Sequence, residues 1–324
     1  MRALYKYPQA EFPYQQLIDE NGRRGKFDLE FELADTGVFD HSRYFDVTAE
    51  YAKASPNDIL IRLTVVNRGR EPAPIHVLPT LWFRNSWSWG CTHEGCEIKP
   101  RLAADGPSVI SASHVSLGDF RFSIESKQNG ASARLLFTEN ETNTCQAFGV
   151  DDGHHYGKDA FHRWLIEGDS SAVNPQAHGT KAAAVFHRTL AAGSAMVLRL
   201  RLTAVDEAAC EPFADFDEVF AARIREADSF YAERIPDPPT DEAARVARQA
   251  YAGLLWSKQF YHYVVKEWIA GDADQPAPPP ARQWGRNHDW PHLFNRDVIS
   301  MPDKWEYPWY AAWDLAFHMI PMAT

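Results

Sequence analysis

The chain has 324 residues, of which 45% are hydrophobic and 24% charged, and its net charge at pH 7 is −11. These proportions are ordinary for a soluble globular protein, and the length is typical of two domains. The acidic balance leaves no basic stripe to neutralise phosphates, which argues against nucleic acid and anionic membranes as partners. No apolar run reaches membrane-spanning length and no apolar leader follows Met1, so a cytoplasmic location is expected.

Residues 1–25 are polar and contain Pro8, Pro13 and Gly22, so we expect no regular element there. From about residue 26 to 205, polar and apolar residues alternate between turn-rich loops, which predicts β-strands. The predicted strands cover residues 26–33, 43–51, 58–66, 75–83, 108–115, 120–125, 133–138, 182–189 and 196–203. Many short strands without long helical segments between them predict an antiparallel sandwich.

Two loops in this half are rich in residues that could bind a ligand. The segment 82–89 contains three tryptophans, which either pack the sandwich against the next domain or form a wall of a sugar pocket. The segment 153–162 contains three histidines, but neighbouring His154 and His155 would point to opposite sides of a strand. We therefore interpret this second segment as a polar interface loop rather than a metal site.

Four cysteines in a chain of this length do not form a disulfide scaffold, which agrees with a reducing compartment. Cys91 and Cys96 are close in sequence and His93 lies between them, but no second pair of metal ligands is nearby. We predict no metal ion and no cofactor.

The pattern becomes helical near residue 210. Asp215–Glu218 resembles a capping box that starts a first helix, and Pro238 and Pro239 end it. Thr240 is a natural N-cap for a second helix, whose inner face we extend to Tyr261. A proline-rich loop follows at 271–282.

The last segment combines aromatic rings with a carboxylate. Trp305, Tyr307, Trp309 and Tyr310 precede a Trp-Asp pair at 313–314. Flat aromatic faces suit the C–H faces of sugar rings. A carboxyl group among such rings is poorly solvated, which favours the protonated form that a general acid requires.

The segment WEYPWYAAWDLAFH, preceded by HLFNRD and SMPDK, resembles the start of the catalytic domain of glycoside hydrolase family 63. This family includes processing α-glucosidase I and bacterial relatives that act on α-glucosides and mannosylglycerate. Its general acid is the Asp of a Trp-Asp-x-x-Phe-His motif, which falls here on Asp314, with Trp313, Phe317 and His318 completing the motif. Upstream, YKYPQAEFPY, TLWFRNSWSW and KDAFH also resemble large bacterial members.

The resemblance implies an antiparallel β-supersandwich followed by the first helices of an (α/α)6 barrel. The expected parts are a β-sandwich domain at 1–208, a linker helix at 209–239 and an incomplete start of the catalytic domain at 240–324. The family's general base is a Glu in a later barrel helix, which would lie beyond Thr324. We therefore expect this chain to be a fragment that is inactive by itself.

The implied reaction is inverting hydrolysis of α-glucosidic linkages in oligosaccharides, with Asp314 as the proton donor. Asp303 and Glu306 are nearby acids that we expect to be solvated or paired with a cation. The residues predicted to bind substrate are Trp305, Trp309, Trp313, Phe317, His318, Arg296 and Asp297. The alternative is a non-catalytic carbohydrate-binding or scaffolding β-sandwich. The sugar, the linkage and the oligomeric state are left open.

Overall fold

The computed structural model describes residues 1–89, 95, 97–125, 133–151, 153, 155–272, 275–301 and 306–323. The chain divides into two compact units. The first combines Met1–Asn85 with Ile98–Phe220, and the second combines Ser86–Glu97 with Ala221–Thr324. The domain boundaries expected at 208/209 and 239/240 stay predictions.

The first unit is built mainly of β-strands. Its strands are β1 (Arg2–Pro8), β2 (Tyr44–Ser55), β3 (Asp58–Asn67), β4 (Ala73–Val77), β5 (Thr80–Trp82), β6 (Arg101–Ala104), β7 (Val109–His114), β8 (Gly118–Ile124), β9 (Arg134–Thr138), β10 (His178–Gly179), β11 (Lys181–Leu190) and β12 (Ala195–Ala204). Its short α-helices are α1 (Tyr14–Arg23), α2 (Thr144–Phe148) and α3 (Ala160–His162), and a π-helical turn at Arg163–Glu167 continues α3. Single 3₁₀ turns lie at Leu33–Thr36, Asp40–Ser42, Ser170–Ala172 and Val205–Glu207.

The strands form two antiparallel sheets. The larger has eight strands in the order β1-β2-β3-β12-β8-β7-β6-β10. In the smaller sheet β11 pairs with β4, β5 and β9. Side chains from both sheets share one apolar core, for example Leu200 of β12 and Phe186 of β11. The predicted antiparallel β-rich half is confirmed.

The larger sheet is covered on its second face by the beginning of α4 (Phe216–Arg234). Ala52 and Leu60 of the sheet pack against Phe216 and Phe220 of this helix, and all four are buried. Burying an aromatic side chain of this size contributes about 1.5–3 kcal/mol. The helix therefore begins where the outer face of the sheet has apolar residues to cover.

A buried ion pair fixes the same region. Arg201 of β12 and Asp58 of β3 each have only 7% of the side chain exposed, and Arg201 Nε donates to Asp58 Oδ1 at 2.8 Å. The Thr203 hydroxyl donates to the same carboxylate oxygen at 2.8 Å. Arg201 Nη1 donates to the carbonyl of Pro212 at 2.7 Å, and the guanidinium also binds Asp215. This hydrogen bonding holds the pKa of Asp215 below its ordinary value.

In the residues that the structure describes, the second unit holds a 3₁₀ helix at Trp87–Trp89, the rest of α4 and several later elements. These later elements are α5 (Asp241–Trp256), β13 (Lys258–Val264), α6 (Val265–Ala270), β14 (Phe294–Ser300) and α7 (Ala312–Met322), with a 3₁₀ helix at Pro280–Trp284. The predicted N-cap of α5 is confirmed, because the Thr240 hydroxyl accepts from the amide of Ala243 at 3.1 Å. Among the described helices, none is both long enough and apolar enough to cross a lipid bilayer.

The strand predicted at 26–33 is wrong. Phe27 and Leu29 are 91% and 86% exposed, so the apolar side chains of the alternating pattern are left uncovered. The side chain of Asn21 instead binds both the amide and the carbonyl of Phe31, at 2.8 and 3.0 Å. A side chain thus takes the backbone groups that a neighbouring strand would have bound.

The expectation of no regular element in residues 1–25 is also wrong. β1 pairs with β2 from Arg2 opposite Glu50 to Pro8 opposite Tyr44, and α1 follows. An edge strand has one neighbour and buries little, so its sequence shows little alternation. The predicted strand 75–83 is broken between β4 and β5, at Leu78 and Pro79.

The second predicted helix ends earlier than expected. α5 stops at Trp256, and residues up to Val264 form β13, which pairs with β14. The run Gln-Phe-Tyr-His-Tyr-Val-Val is rich in aromatic and β-branched residues that favour strands. Its partner residues lie 30 to 42 positions further along the chain, from Val264 opposite Phe294 to Lys258 opposite Ser300. The (α/α)6 barrel stays a prediction.

We expect Arg201→Met to destabilise the first unit by about 3–5 kcal/mol, because Asp58 would stay buried without its cation. The free energy of unfolding in urea would measure the loss. The control is Arg121→Met in β8, whose guanidinium lies 3.9 Å from Asp105 and is half exposed. That change should cost no more than about 1 kcal/mol. Equal losses in both variants would contradict the importance given to the buried pair.

Candidate functional site

The predicted site residues that the structure describes lie on the antiparallel pair β13–β14, on α7 and on the segment before α7. We call this strand pair the hairpin, although α6 and a long segment connect its two strands. The hairpin register places Tyr261 opposite Asp297 and His262 opposite Arg296. Side chains alternate between the two faces of a strand. Asp297 therefore shares a face with Tyr261, and Arg296 lies on the opposite face with His262.

The Tyr261 face of the hairpin packs against the start of α7. Ile299, Met301 and Ala311 are buried there, with Tyr261, Tyr307, Tyr310 and Leu315 around them. The rings of Tyr261 and Tyr310 meet edge to face, with centroids 5.6 Å apart. Burial raises the pKa of Tyr261, and a hydrogen bond with the backbone of Tyr310 partly offsets this. This small apolar core fixes the helix on which Asp314 lies.

Asp314 is in the first turn of α7 and is half-buried. A purely structural role for Asp314 would be that of the N-cap residue of α7. The N-cap of this helix is Ala311, so Asp314 does not have that role. The structure thus places this acid at the end of a helix anchored on the hairpin.

His318 lies one turn after Asp314, on the same side of α7. Its Nδ1 is 3.1 Å from the backbone carbonyl of Ser300, at the end of β14. A carbonyl can only accept, so Nδ1 carries the hydrogen and Nε2 is left as an acceptor when the ring is neutral. The bond joins α7 to the hairpin and sets the orientation of the imidazole.

Trp313 and Phe317 form an exposed aromatic pair on α7. Their centroids are 5.4 Å apart with an interplanar angle of 77°, and the residues are 75% and 55% exposed. Trp309 is 50% exposed and its ring meets that of Tyr307. The sequence predicted that aromatic rings enclose Asp314. In the described residues, these rings instead form an open, exposed surface. Trp305 and Asp303 lie outside them.

The structure separates the two predicted polar residues of β14. Asp297 is exposed on the face that packs against α7, whereas Arg296 lies on the other face with its guanidinium 5.7 Å from the ring of Phe294. Adjacent residues of a strand cannot both point to one site. Of this pair, Asp297 is the one on the same side of the hairpin as Asp314.

A second cluster of polar side chains, which the sequence analysis did not predict, lies on the other side of the hairpin. His262 Nε2 is 3.1 Å from Glu267 Oε2. Burial raises the pKa of Asp272, and the charge of Glu267 raises it further. Arg282 stacks 4.1 Å from the ring of Trp268. The aromatic and β-branched run 260–265 could have revealed this strand and its polar face.

A cavity of about 320 Å³ lies elsewhere in the second unit. Its lining is mainly apolar, with one cation at Arg234. The lining residues are Phe230, Arg234, Tyr251, Leu254, Leu255, Pro321, Met322 and Ala323. Asp314 does not line this cavity, so it is not a pocket around the predicted acid.

Among the described residues, no group of three or more His, Cys, Asp or Glu side chains is arranged to hold a metal ion. Cys91, His93, Cys96 and His154 lie outside those residues. Cys145 and Cys210 are exposed free thiols.

A search against protein-family models finds no match. The chain is 38% identical over 362 residues to Uncharacterized protein YMR196W of Saccharomyces cerevisiae. That match covers all of this chain but 33% of the yeast protein, so the chain spans about a third of its relative.

Two solved structures show weak likeness. The polysaccharide lyase BACCELL_00875 aligns over 49% of this chain and 20% of its own, at 11% identity and a TM-score of 0.30. A protein named for kojibiose phosphorylase, from the human microbiome, aligns over 70% and 24%, at 8% identity and a TM-score of 0.25. Similarity at this level carries no assignment of fold or function.

We expect His318→Ala to loosen α7 from the hairpin and to lower the stability of the second unit by about 0.5–1.5 kcal/mol, because one hydrogen bond to Ser300 is lost. Hydrogen exchange of the α7 amides would measure the change. The control is His288→Ala, whose Nδ1 lies 2.8 Å from the carbonyl of Gly285 within its own turn. Unchanged α7 exchange in His318→Ala would show that the bond does not anchor the helix.

Proposed function

We propose that the protein is a carbohydrate-active enzyme, and more narrowly an inverting glycoside hydrolase of the α-glucosidase type. The observation that carries the proposal is the Trp-Asp-x-x-Phe-His motif at the start of α7. Asp314 and His318 share one side of this helix, and the imidazole is oriented by its bond to Ser300. Trp313 and Phe317 present exposed ring faces beside them.

Asp314 is the proton donor in this proposal. Protonation of the glycosidic oxygen requires a carboxyl group that substrate can reach, and Asp314 is half-buried and lies next to exposed rings. Inversion also needs a second carboxylate, about 6.5–9.5 Å from the first, to activate water on the opposite face of the sugar. The resemblance to family 63 assigns that role to a Glu in a later barrel helix.

The exposed rings supply the sugar-binding surface. Trp309, Trp313 and Phe317 are each at least half exposed, so a sugar ring could cover them without any rearrangement of the apolar core. Aromatic side chains often bind partners that have both apolar and polar faces, as pyranose rings do. The same surface supports the alternative proposal, a carbohydrate-binding protein without catalysis, which needs the rings but not the acid.

We expect Asp314→Asn to lower kcat on α-linked oligosaccharides by roughly 10²–10⁴-fold, because the amide cannot donate the proton to the leaving oxygen. KM should change little, since the group acts mainly in the transition state. The assay uses the protein at its native length and follows the anomer released by NMR.

The control for this experiment is Asp241→Asn, which alters an exposed acid in the first turn of α5. It should leave turnover unchanged. Normal turnover by Asp314→Asn would end the assignment of the acid. Sugar binding without any hydrolysis by the unaltered protein would favour the carbohydrate-binding alternative.

We expect Phe317→Ala to weaken oligosaccharide binding by about 1 kcal/mol, since it removes one ring and the edge-to-face support of Trp313. Isothermal titration calorimetry would measure the affinity. Phe148→Ala is the matched control, because Phe148 is also 55% exposed but lies at the end of α2 in the first unit. Equal affinities of the two variants would remove Phe317 from the sugar surface.

A further inference from the structure

Two histidines face each other on the outer side of the smaller sheet. His76 of β4 and His187 of β11 are directly opposite in the antiparallel register. Their rings stack with centroids 4.1 Å apart and planes within 4° of parallel. Both residues are exposed. The pair lies in the first unit, so its chemistry is independent of the proposed function.

The apolar core holds the pair in this arrangement. Ile75 and Phe186 precede the two histidines on their strands and are buried between the sheets. Because side chains alternate along a strand, both histidines must leave from the opposite face. A slip by one residue would turn the apolar side chains out to solvent, so the register that faces the imidazoles is strongly specified.

We propose that His76 and His187 form a two-nitrogen binding site for a late first-row divalent metal ion such as Cu²⁺ or Zn²⁺. Imidazole is a preferred ligand of these ions, and Cu²⁺ binds most strongly in the divalent series. Metal–nitrogen bonds of about 2.0–2.1 Å require the two nitrogens to approach to about 3 Å. The stacked rings reach this by tilting towards each other about χ2, which is a soft torsion in histidine. Water would fill the remaining positions on the metal.

The surroundings favour the neutral rings that a metal requires. The two rings cover one face of each other, with centroids 4.1 Å apart. A metal replaces the proton and satisfies both nitrogens at once, whereas two protonated rings at this distance would repel each other. Arg188 follows His187, but its side chain leaves from the other face of β11.

The first test is Cu²⁺ binding to protein without a histidine tag, measured by equilibrium dialysis. We expect one tight site per chain, and His76→Gln and His187→Gln should each weaken it by roughly tenfold or more, because the chelate loses one of its two nitrogens. The control is His162→Gln, which changes an exposed histidine on α3 and should leave the affinity unchanged. Equal affinity of all four proteins would overturn the proposal, as would an equal loss in the control.

The second test uses the unaltered protein and so does not depend on how the variants fold. Electron paramagnetic resonance of the Cu²⁺ complex should show hyperfine coupling to two imidazole nitrogens. Amide NMR signals around His76 and His187 should broaden before those elsewhere. Coupling to fewer than two nitrogens, or broadening centred on another histidine, would show that this pair is not the site.

Discussion

The buried guanidinium of Arg201 is the interaction on which the architecture of the first unit depends. It joins β12 to β3 through Asp58, and it binds the carbonyl of Pro212 and the carboxylate of Asp215 just before α4 begins. A buried cation is costly unless it is paired and its hydrogens are bound, so these groups must stay together. The centre of the sheet and the start of α4 are therefore fixed by one side chain.

This arrangement explains why the apolar face of α4 begins at Phe216. Asp215 is bound by Arg201, so the next residue, Phe216, lies on the outer face of the sheet. There it packs against Ala52 and Leu60. Electrostatics sets the position and the hydrophobic effect supplies most of the free energy. The helix needs no strong amphipathic pattern beyond these first turns.

The sequence predicted best where a strand has neighbours on both sides. β3 and β12 alternate along much of their length between buried and less buried residues, whereas β11 begins with a continuous buried run, and all three were predicted from these patterns. The same pattern at 26–33 had no partner, because Asn21 captures the backbone of Phe31. Alternation of polar and apolar residues shows which side chains a strand could bury. Whether a partner strand is available depends on the whole chain.

In the candidate site, too, local structure was easier to predict from the sequence than the pairing of distant segments. The motif on α7 is local, so its helical spacing and the pairing of Trp313 with Phe317 could be anticipated from sequence. The hairpin is non-local, since β13 finds its partner across the Pro-rich loop. Alternation along β14 puts Arg296 and Asp297 on different faces, and the register shows that Arg296 shares its face with His262.

The position of Asp314 places a physical demand on the proposed chemistry. A general acid must hold its proton until the sugar departs. The exposed rings of Trp313 and Phe317 do not by themselves remove water from the acid. Substrate packed on these rings would displace that water. In the proposed reaction, the aromatic surface is therefore as necessary as the proton donor.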